Sequence, residues 1–500
     1  MKIAGYIDHC DPTGFDGWII DHDNPQMKFR LAVYCGAILL GTCVADQFRQ
    51  DLADGGLADG HCGFKFDLPN TLSTAQLHEL NVSVIDTRYA FPFRVGSPII
   101  AQTPGMFYER VAKNLYQSGR RWQKFETCIL HIGTEKTGST SLQTCFGLNR
   151  AAFADKGYFV PLSLASSSNF EVLNHIYLAV ISRSDEEFSD DLRLALNILD
   201  RDALNRTRRD VFIKFSEEIA TTSCGCHTVI LSNEHCHSRL LTLEEVQKLK
   251  DFLDHFCESY KIVVYLRPQH ELAMSQYGML VANGIWDIDI FQPFPEPSGY
   301  NKLYTPRAYF DYRALLERWS EVFGEDSLDP RIYPDGYFPQ RGDVVADFVA
   351  ALSLGGGELV SPPRSNTATS ARAQAFLTNF YRYFGNTGQF GAIALHERVR
   401  DAALACLPGP GLTPDRSQVV AFLQEFAEGN EAIRLRWFPQ RQRLFELNLE
   451  TYPTVASPIM LSPKETEDIY KMLMKDQELC CYLTPEAWSR IQKGLPPRTE

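Results

Sequence analysis

No stretch of the 500-residue chain approaches the ~18 consecutive apolar residues that cross a bilayer, so it offers no candidate transmembrane helix. Residues 1–9 also lack the apolar run of a secretory signal, and a cytoplasmic location is expected. Positive charge is short as well. Against 62 Asp and Glu stand 49 Lys and Arg, a net charge of −13 that opposes nucleic-acid binding, because phosphate backbones need clustered cations. An anionic ligand must therefore meet cations gathered locally. The 13 cysteines are odd in number and follow no disulfide framework, so reduced thiols are expected. Cys224-Gly225-Cys226-His227 and Cys236-His237 bring zinc-type ligands together but match no common zinc module, and no metal is expected. Internal repeats and long low-complexity segments are missing too. What is left is an ordinary globular composition on a chain too long for one compact domain.

Residues 1–98 read as β-rich. Short alternating runs at 16–20, 27–34, 37–44, 63–68 and 80–85 recur at intervals of about ten residues, the rhythm of a sandwich or small barrel. Residues 99–125 begin at the boundary Thr103-Pro104-Gly105 and read as a linker helix over 107–117, with Arg120, Arg121 and Lys124 as a solvated face. Residues 126–370 alternate buried-strand and helix patterns, the signature of an α/β domain with a parallel sheet. Residues 371–500 read as a mainly helical extension packed on that domain.

The stretch that organises the chain is 128–143. Residues 128–132 are short and apolar enough for a buried strand, while Ser139, Thr140, Ser141 and the run 142–148 suit the start of a helix. Between them lies a candidate anion cradle. A loop that feeds a helix N-terminus aims backbone N–H groups and the positive end of the helix dipole at one spot. Gly133 and Gly138 have the glycine spacing of a nucleotide triphosphatase loop, but Ser139 stands where that loop needs lysine, and the lysine is Lys136, inside the loop.

A second basic site follows a second buried strand, residues 261–266. Arg267 at its carboxyl end can offer a bidentate fork to a phosphate, and Ser275 lies eight residues on, in a helix whose apolar positions Ala273, Tyr277, Leu280 and Val281 run to a stop at Asn283-Gly284. A third buried strand, 228–232, ends at Asn233-Glu234-His235-Cys236-His237, which holds three candidate general bases, Glu234, His235 and His237. The bland alternative makes Glu234 a helix cap or the partner of a loop arginine.

Lys136-Thr137-Gly138-Ser139-Thr140 after a buried strand resembles the 5′-phosphosulfate loop of sulfotransferases, Lys-Ser/Thr-Gly-Ser/Thr-Thr, and Arg267 with Ser275 resembles that family's Arg-x7-Ser signature for a 3′-phosphate. Ser232-Asn233-Glu234 resembles the corresponding strand end of bacterial carbohydrate-sulfotransferase-like sequences. The resemblance implies a P-loop α/β fold with flanking helices and, as donor, 3′-phosphoadenosine 5′-phosphosulfate. It implies Gly133, Lys136, Thr137, Gly138, Ser139, Thr140 and Ser141 around the 5′-phosphosulfate, Arg267 and Ser275 on the 3′-phosphate, and Glu234, then His235 or His237, as base. Arg364, in Ser361-Pro362-Pro363-Arg364-Ser365, falls where the family closes a late loop over the nucleotide, although the sequence departs from the Arg-Lys-Gly form of cytosolic members. At the other end, Gly5-Tyr6-Ile7-Asp8, Gly17-Trp18, Ala45-Asp46, Arg49-Gln50-Asp51-Leu52 and His61-Cys62-Gly63-Phe64 resemble β-domains appended to bacterial glycan-modifying transferases. The acceptor implied is a glycan.

Four further residues are acceptor-side candidates. His175 falls inside the apolar helical pattern of Val172, Ile176 and Val180, where a structural histidine is the commoner case. Trp286, Phe291 and Tyr300, with Phe294, lie on a long proline-rich loop and either stack on a sugar or pack the loop onto the body. Two other functions stay open from these residues: a P-loop nucleotide kinase or triphosphatase, and a glycan-binding scaffold that has lost its chemistry.

Overall fold

The computed structural model describes residues 3–11, 14–35, 38–56, 59–68, 80–85, 90–92, 104–166, 171–185, 187–188, 190–223, 225–292, 306–333, 343–352, 359–360, 362, 369–385 and 393–496. Arg364, Tyr300, Phe294 and Cys224 lie outside them. The chain forms two compact units, Met1–Arg110 and Val111–Glu500. The boundary falls within the Pro104–Gln117 helix, the helix expected as a linker.

The first unit is built from two four-stranded antiparallel sheets. Strands β1 (Ile3–Asp11), β2 (Gly14–Asp21), β5 (Gln47–Phe48) and β6 (His61–Asp67) form one in the order β1-β2-β6-β5. Strands β3 (Phe29–Cys35), β4 (Ile38–Ala45), β7 (Leu80–Val84) and β8 (Ala90–Pro92) form the other in the order β4-β3-β7-β8. Alternate residues point to one face of a strand, and Phe15 and Ile19 of β2 meet Phe29, Leu31 and Val33 of β3 in a core shared by both sheets. Trp18, on the other face of β2, packs with Ile20, Leu52 and Cys62, so it serves a small local cluster. Strand β1 was not expected. Its Gly5, His9 and Asp11 blur the alternation, and it is held by pairing along its length with β2, interrupted by a bulge between Ile7 and His9.

The second unit holds a five-stranded sheet flanked by helices. Its strands are β9 (Phe125–His131), β10 (Tyr158–Phe159), β11 (Thr228–Ser232), β12 (Cys257–Leu266) and β13 (Leu328–Ile332), in the order β10-β11-β9-β12-β13. Every pairing is parallel. Parallel strands are covered on both faces, which is why β9, β11 and β12 read as unbroken apolar runs; Ile129, Ile230, Val263 and Tyr265 pack with Leu142 and Phe146 of the Ser139–Leu148 helix and Phe348 of the Val344–Ala351 helix.

Chain direction creates a switch point beside β9. From β9 the chain runs outward to β10 and back to β11, then crosses to β12 and β13 on the other side. Open α/β sheets bind ligands at the carboxyl ends of the strands that flank such a switch. Here those ends carry residues 133–138, 233–235 and 267. Residues 371–496 lie in the same compact unit and are largely helical. Phe376, Phe380, Leu395, Val399, Ile469 and Trp488 form a second core around Val281 and Ala282, the end of the Gln269–Ala282 helix. No helix among the described residues is long and apolar enough to cross a membrane.

Candidate functional site

The loop after β9 is tied down before it turns. Tyr265 N–H donates to Gly133 O at 2.7 Å, Thr134 N–H donates to Tyr265 O at 3.1 Å, and the Thr137 hydroxyl donates to Thr134 O at 2.5 Å. The turn itself needs left-handed backbone at Gly133 (φ 106°), Lys136 (φ 60°) and Gly138 (φ 82°). Lysine accepts that conformation at a cost of about 1–3 kcal/mol and only where its surroundings hold it. Arg267 does so, donating from Nη1 to Lys136 O at 3.0 Å. Gly138 caps the Ser139–Leu148 helix, whose first-turn N–H groups have no intrahelical acceptor. A Cβ at Gly138 would stand 2.7 Å from Val344 Cγ1. Gly138→Ala therefore combines a clash with an unfavourable φ, and is expected to lower unfolding free energy by about 1–3 kcal/mol in urea titration.

Lys136, Gly138, Ser139, Thr140, Ser141, Glu234, His235, Arg267 and Ser275 line one cavity of about 1620 Å³. Gly133 and Thr137 lie in the loop behind that lining, both buried. Lys136 Nζ rests 2.8 Å from Met279 Sδ, a weak acceptor that a stronger anion would displace. Burial pushes the Lys136 ammonium below its ordinary pKa, while the Glu135 and Glu234 carboxylates pull it back up. Arg267 Nε bonds Glu271 Oε2 at 3.2 Å, and Tyr312 fixes the backbone there by donating to Arg267 O at 2.7 Å.

Two carboxylates stand at the strand ends, Glu234 after β11 and Glu135 after β9. Glu234 Oε2 accepts from the Gln143 amide and, at 3.3 Å, from Asn174 Nδ2. Glu135, in the loop, accepts from the Tyr309 hydroxyl at 2.9 Å and faces His235 Nδ1 at 3.4 Å. Burial alone would raise the Glu135 carboxyl, but His235, Arg239 and Ser238 outweigh it and leave the group well below the usual carboxylate range.

Several expected site residues lie elsewhere. His237 is buried, bonds Tyr309 O from Nε2 at 3.0 Å, and is held down to about 4 by burial; it does not line the cavity. His175 precedes the Tyr177–Ser182 helix rather than sitting in one. Its Nδ1 accepts from Ser232 N–H at 2.9 Å and its Nε2 donates to Pro161 O at 3.0 Å, which fixes the tautomer and makes it a strut between β11 and residues 161–175. Trp286 packs against the helical core with Arg382 over its ring, and Phe291 stacks on Phe422 at 4.7 Å, so both follow the packing alternative. Glu135, Gln143 and Tyr309 also belong to this site and carry no signal in the sequence. Glu135 occupies a variable place in the loop motif, Gln143 is one polar residue in a helix, and Tyr309 is 174 residues from its partner, so only the fold reveals them. Gln374 and Arg400, from the helical extension, complete a wall of the cavity without any motif to announce them. Among the described residues no group of three or more His, Cys, Asp or Glu is arranged to hold a metal.

No family model and no curated protein matches the chain. Among solved structures, a sulfotransferase from Alicyclobacillus acidocaldarius aligns at 18% identity and a TM-score of 0.32, covering 50% of this chain and 89% of its own. A structure from the PezAT chromosomal toxin–antitoxin system of Streptococcus pneumoniae aligns at 14% identity and a TM-score of 0.21, covering 51% and 90%. Superpositions at these TM-scores do not define a shared architecture.

Proposed function

We propose that this chain is a sulfotransferase that moves a sulfuryl group from 3′-phosphoadenosine 5′-phosphosulfate to a hydroxyl of a glycan, in the cytoplasm and without nucleic acid as a partner. One observation carries the reading: Lys136 with the first turn of the Ser139–Leu148 helix, and Arg267 with Ser275, are two cationic sites at the ends of adjacent parallel strands that open on one cavity. A donor with phosphates at both ends of a nucleoside fits that pairing, and a lysine inside the loop suits a phosphosulfate better than a nucleoside triphosphate.

The donor supplies an activated sulfuryl group on a phosphate leaving group. The residues of the chain do the rest. Backbone N–H groups of the loop and first helical turn, with the hydroxyls of Ser139, Thr140 and Ser141, hold the 5′-phosphate, Arg267 and Ser275 hold the 3′-phosphate, and Lys136 meets negative charge as it builds on the leaving oxygen. Catalysis is then mainly positioning and charge stabilisation. Glu234 and His235 both reach the cavity as candidate bases for the acceptor hydroxyl.

Calorimetry with adenosine 3′,5′-bisphosphate, beside ATP with magnesium, tests the donor class. Wild type should prefer the bisphosphate. Arg267→Ala should weaken it by about 10–100-fold, the worth of a charge-assisted hydrogen bond, and should cost adenosine 5′-phosphate less, through the lost brace on Lys136 O alone. A preference for ATP would revive the kinase alternative, and no binding of either would leave a glycan-binding scaffold.

A further inference from the structure

We infer that His235 is the group that takes the acceptor proton and that Glu135, the residue before the loop lysine, is its positioning residue. The inference deepens the sulfotransferase reading and rests on it. Glu135 uses its two carboxylate oxygens separately: Oε2 accepts from the Tyr309 hydroxyl at 2.9 Å, and Oε1 lies 3.4 Å from His235 Nδ1. Tyr309 is itself fixed, since its carbonyl accepts from His237 and its ring packs against that imidazole at 4.8 Å. A rigid chain from His237 through Tyr309 thus sets the Glu135 carboxylate opposite His235.

His235 Nδ1 is buried and has no hydrogen-bond partner nearer than that carboxylate. A separation of 3.4 Å is long for a formed hydrogen bond, and catalytic contacts commonly tighten only when substrate closes the site. A carboxylate beside Nδ1 keeps the proton there and leaves Nε2 as the ring's proton acceptor. The His235 side chain keeps 21% of its surface exposed and lines the same cavity as Lys136. The other charged groups around it are engaged. On its own helix Arg239 pairs with Asp190 and Asp191, and the neighbouring Glu234 has its Oε2 taken by two amides. Lys136, from the loop, stands at Met279.

The step balances on these groups. The acceptor oxygen forms a bond to sulfur as the bond from sulfur to the 5′-phosphate oxygen breaks, and the electron pair departs on that phosphate oxygen, met by Lys136. The hydroxyl proton passes to His235 Nε2, and the imidazolium formed is balanced by Glu135.

The experiment measures consumption of radiolabelled phosphoadenosine phosphosulfate with water and 4-nitrophenyl β-glucoside as probe acceptors, beside calorimetric binding of adenosine 3′,5′-bisphosphate. His235→Ala should lower turnover by about 10²–10⁴-fold. Glu135→Gln keeps the volume and the Tyr309 contact and should lower it by about 10–100-fold, with Glu135→Asp recovering part of the loss. The double variant should be no slower than His235→Ala, because the two residues act as one unit. Bisphosphate affinity should hold in all of them. Wild-type turnover in Glu135→Gln, single losses that multiply in the double variant, bisphosphate binding lost with Glu135→Gln, or a wild type that binds bisphosphate but turns over neither probe would each overturn the dyad. A wild type that does not bind bisphosphate removes the donor reading itself, and the dyad with it.

Discussion

Lys136→Ala should reduce kcat by about 10³-fold or more while adenosine 3′,5′-bisphosphate still binds. The reason lies in where the charge is needed. In the resting site the ammonium sits against a thioether, desolvated, with Glu135 and Glu234 as the nearby carboxylates that favour its charge. On the proposed reading, ground-state phosphates have other holders in the helix N-terminus and Arg267, so removal of one cation leaves much of the binding in place. The leaving phosphate oxygen gains charge only as the bond to sulfur stretches, and removing one preorganised donor at such a point costs about 10²–10³ in kcat, more where the donor is a full cation. Single-turnover assays with Lys136→Ala and Lys136→Met separate the chemical step from binding. Turnover within about tenfold of wild type would remove Lys136 from the chemistry.

Stability should fall steeply with acid between pH 6.5 and 4. Burial holds His175, His237 and His270 down to about 4 and His131 to about 3, from an ordinary 6.5. The unfolded chain takes up protons at these four sites near pH 6.5, whereas the folded protein refuses them until much lower pH. The stability they permit is therefore complete above 6.5 and is lost as pH falls towards 4. At 1.36 kcal/mol per pKa unit, each histidine carries on the order of a few kcal/mol of this dependence. Glu135 and Asp185, both held well below the usual carboxylate range, act in a lower window. For each, burial would raise the pKa, but the partners win: His235 and Arg239 for Glu135, Arg208 and Lys248 for Asp185. Their contribution is present above the unfolded carboxylate pKa and disappears only below it. Urea unfolding at pH 7.5, 6, 5 and 4.5 measures the slope. His237→Gln, whose amide can still reach Tyr309 O, should reduce it by about one proton, and a flat profile from 7 to 4.5 would refute the assignment.

The parallel sheet was legible because burial on both faces writes itself as short apolar runs, and β11 begins and ends at the residues expected, Thr228–Ser232. The turn after β9 was legible for a related reason: glycines at positive φ and a helix start are local requirements that local sequence must meet. Partnerships across the fold left no such trace. His237 and His235 are two residues apart on one short helix, and only packing reveals that one faces Tyr309 while the other borders the cavity. Apolar spacing around His175 looked helical because Val172, Ile176 and Val180 are all core contacts in prospect, yet the backbone there is extended enough for His175 N–H to donate to Ser232 O before the helix begins. Trp286 and Phe291 show the same limit, since an aromatic side chain needed for packing and one needed for a sugar are written with the same letters.

The bond from Arg267 to the carbonyl of Lys136 makes the two proposed anion sites mechanically continuous. On the proposed reading, the guanidinium that meets one end of a bisphosphate also braces the left-handed residue that meets the other. An oxyanion docked in the loop and a phosphate docked at Arg267 should consequently feel each other, and by reciprocity each should change the other's affinity by the same factor. Inorganic sulfate and adenosine 3′-phosphate, supplied as separate pieces, would then be non-independent guests, and the donor would be recognised by its span as much as by either terminus.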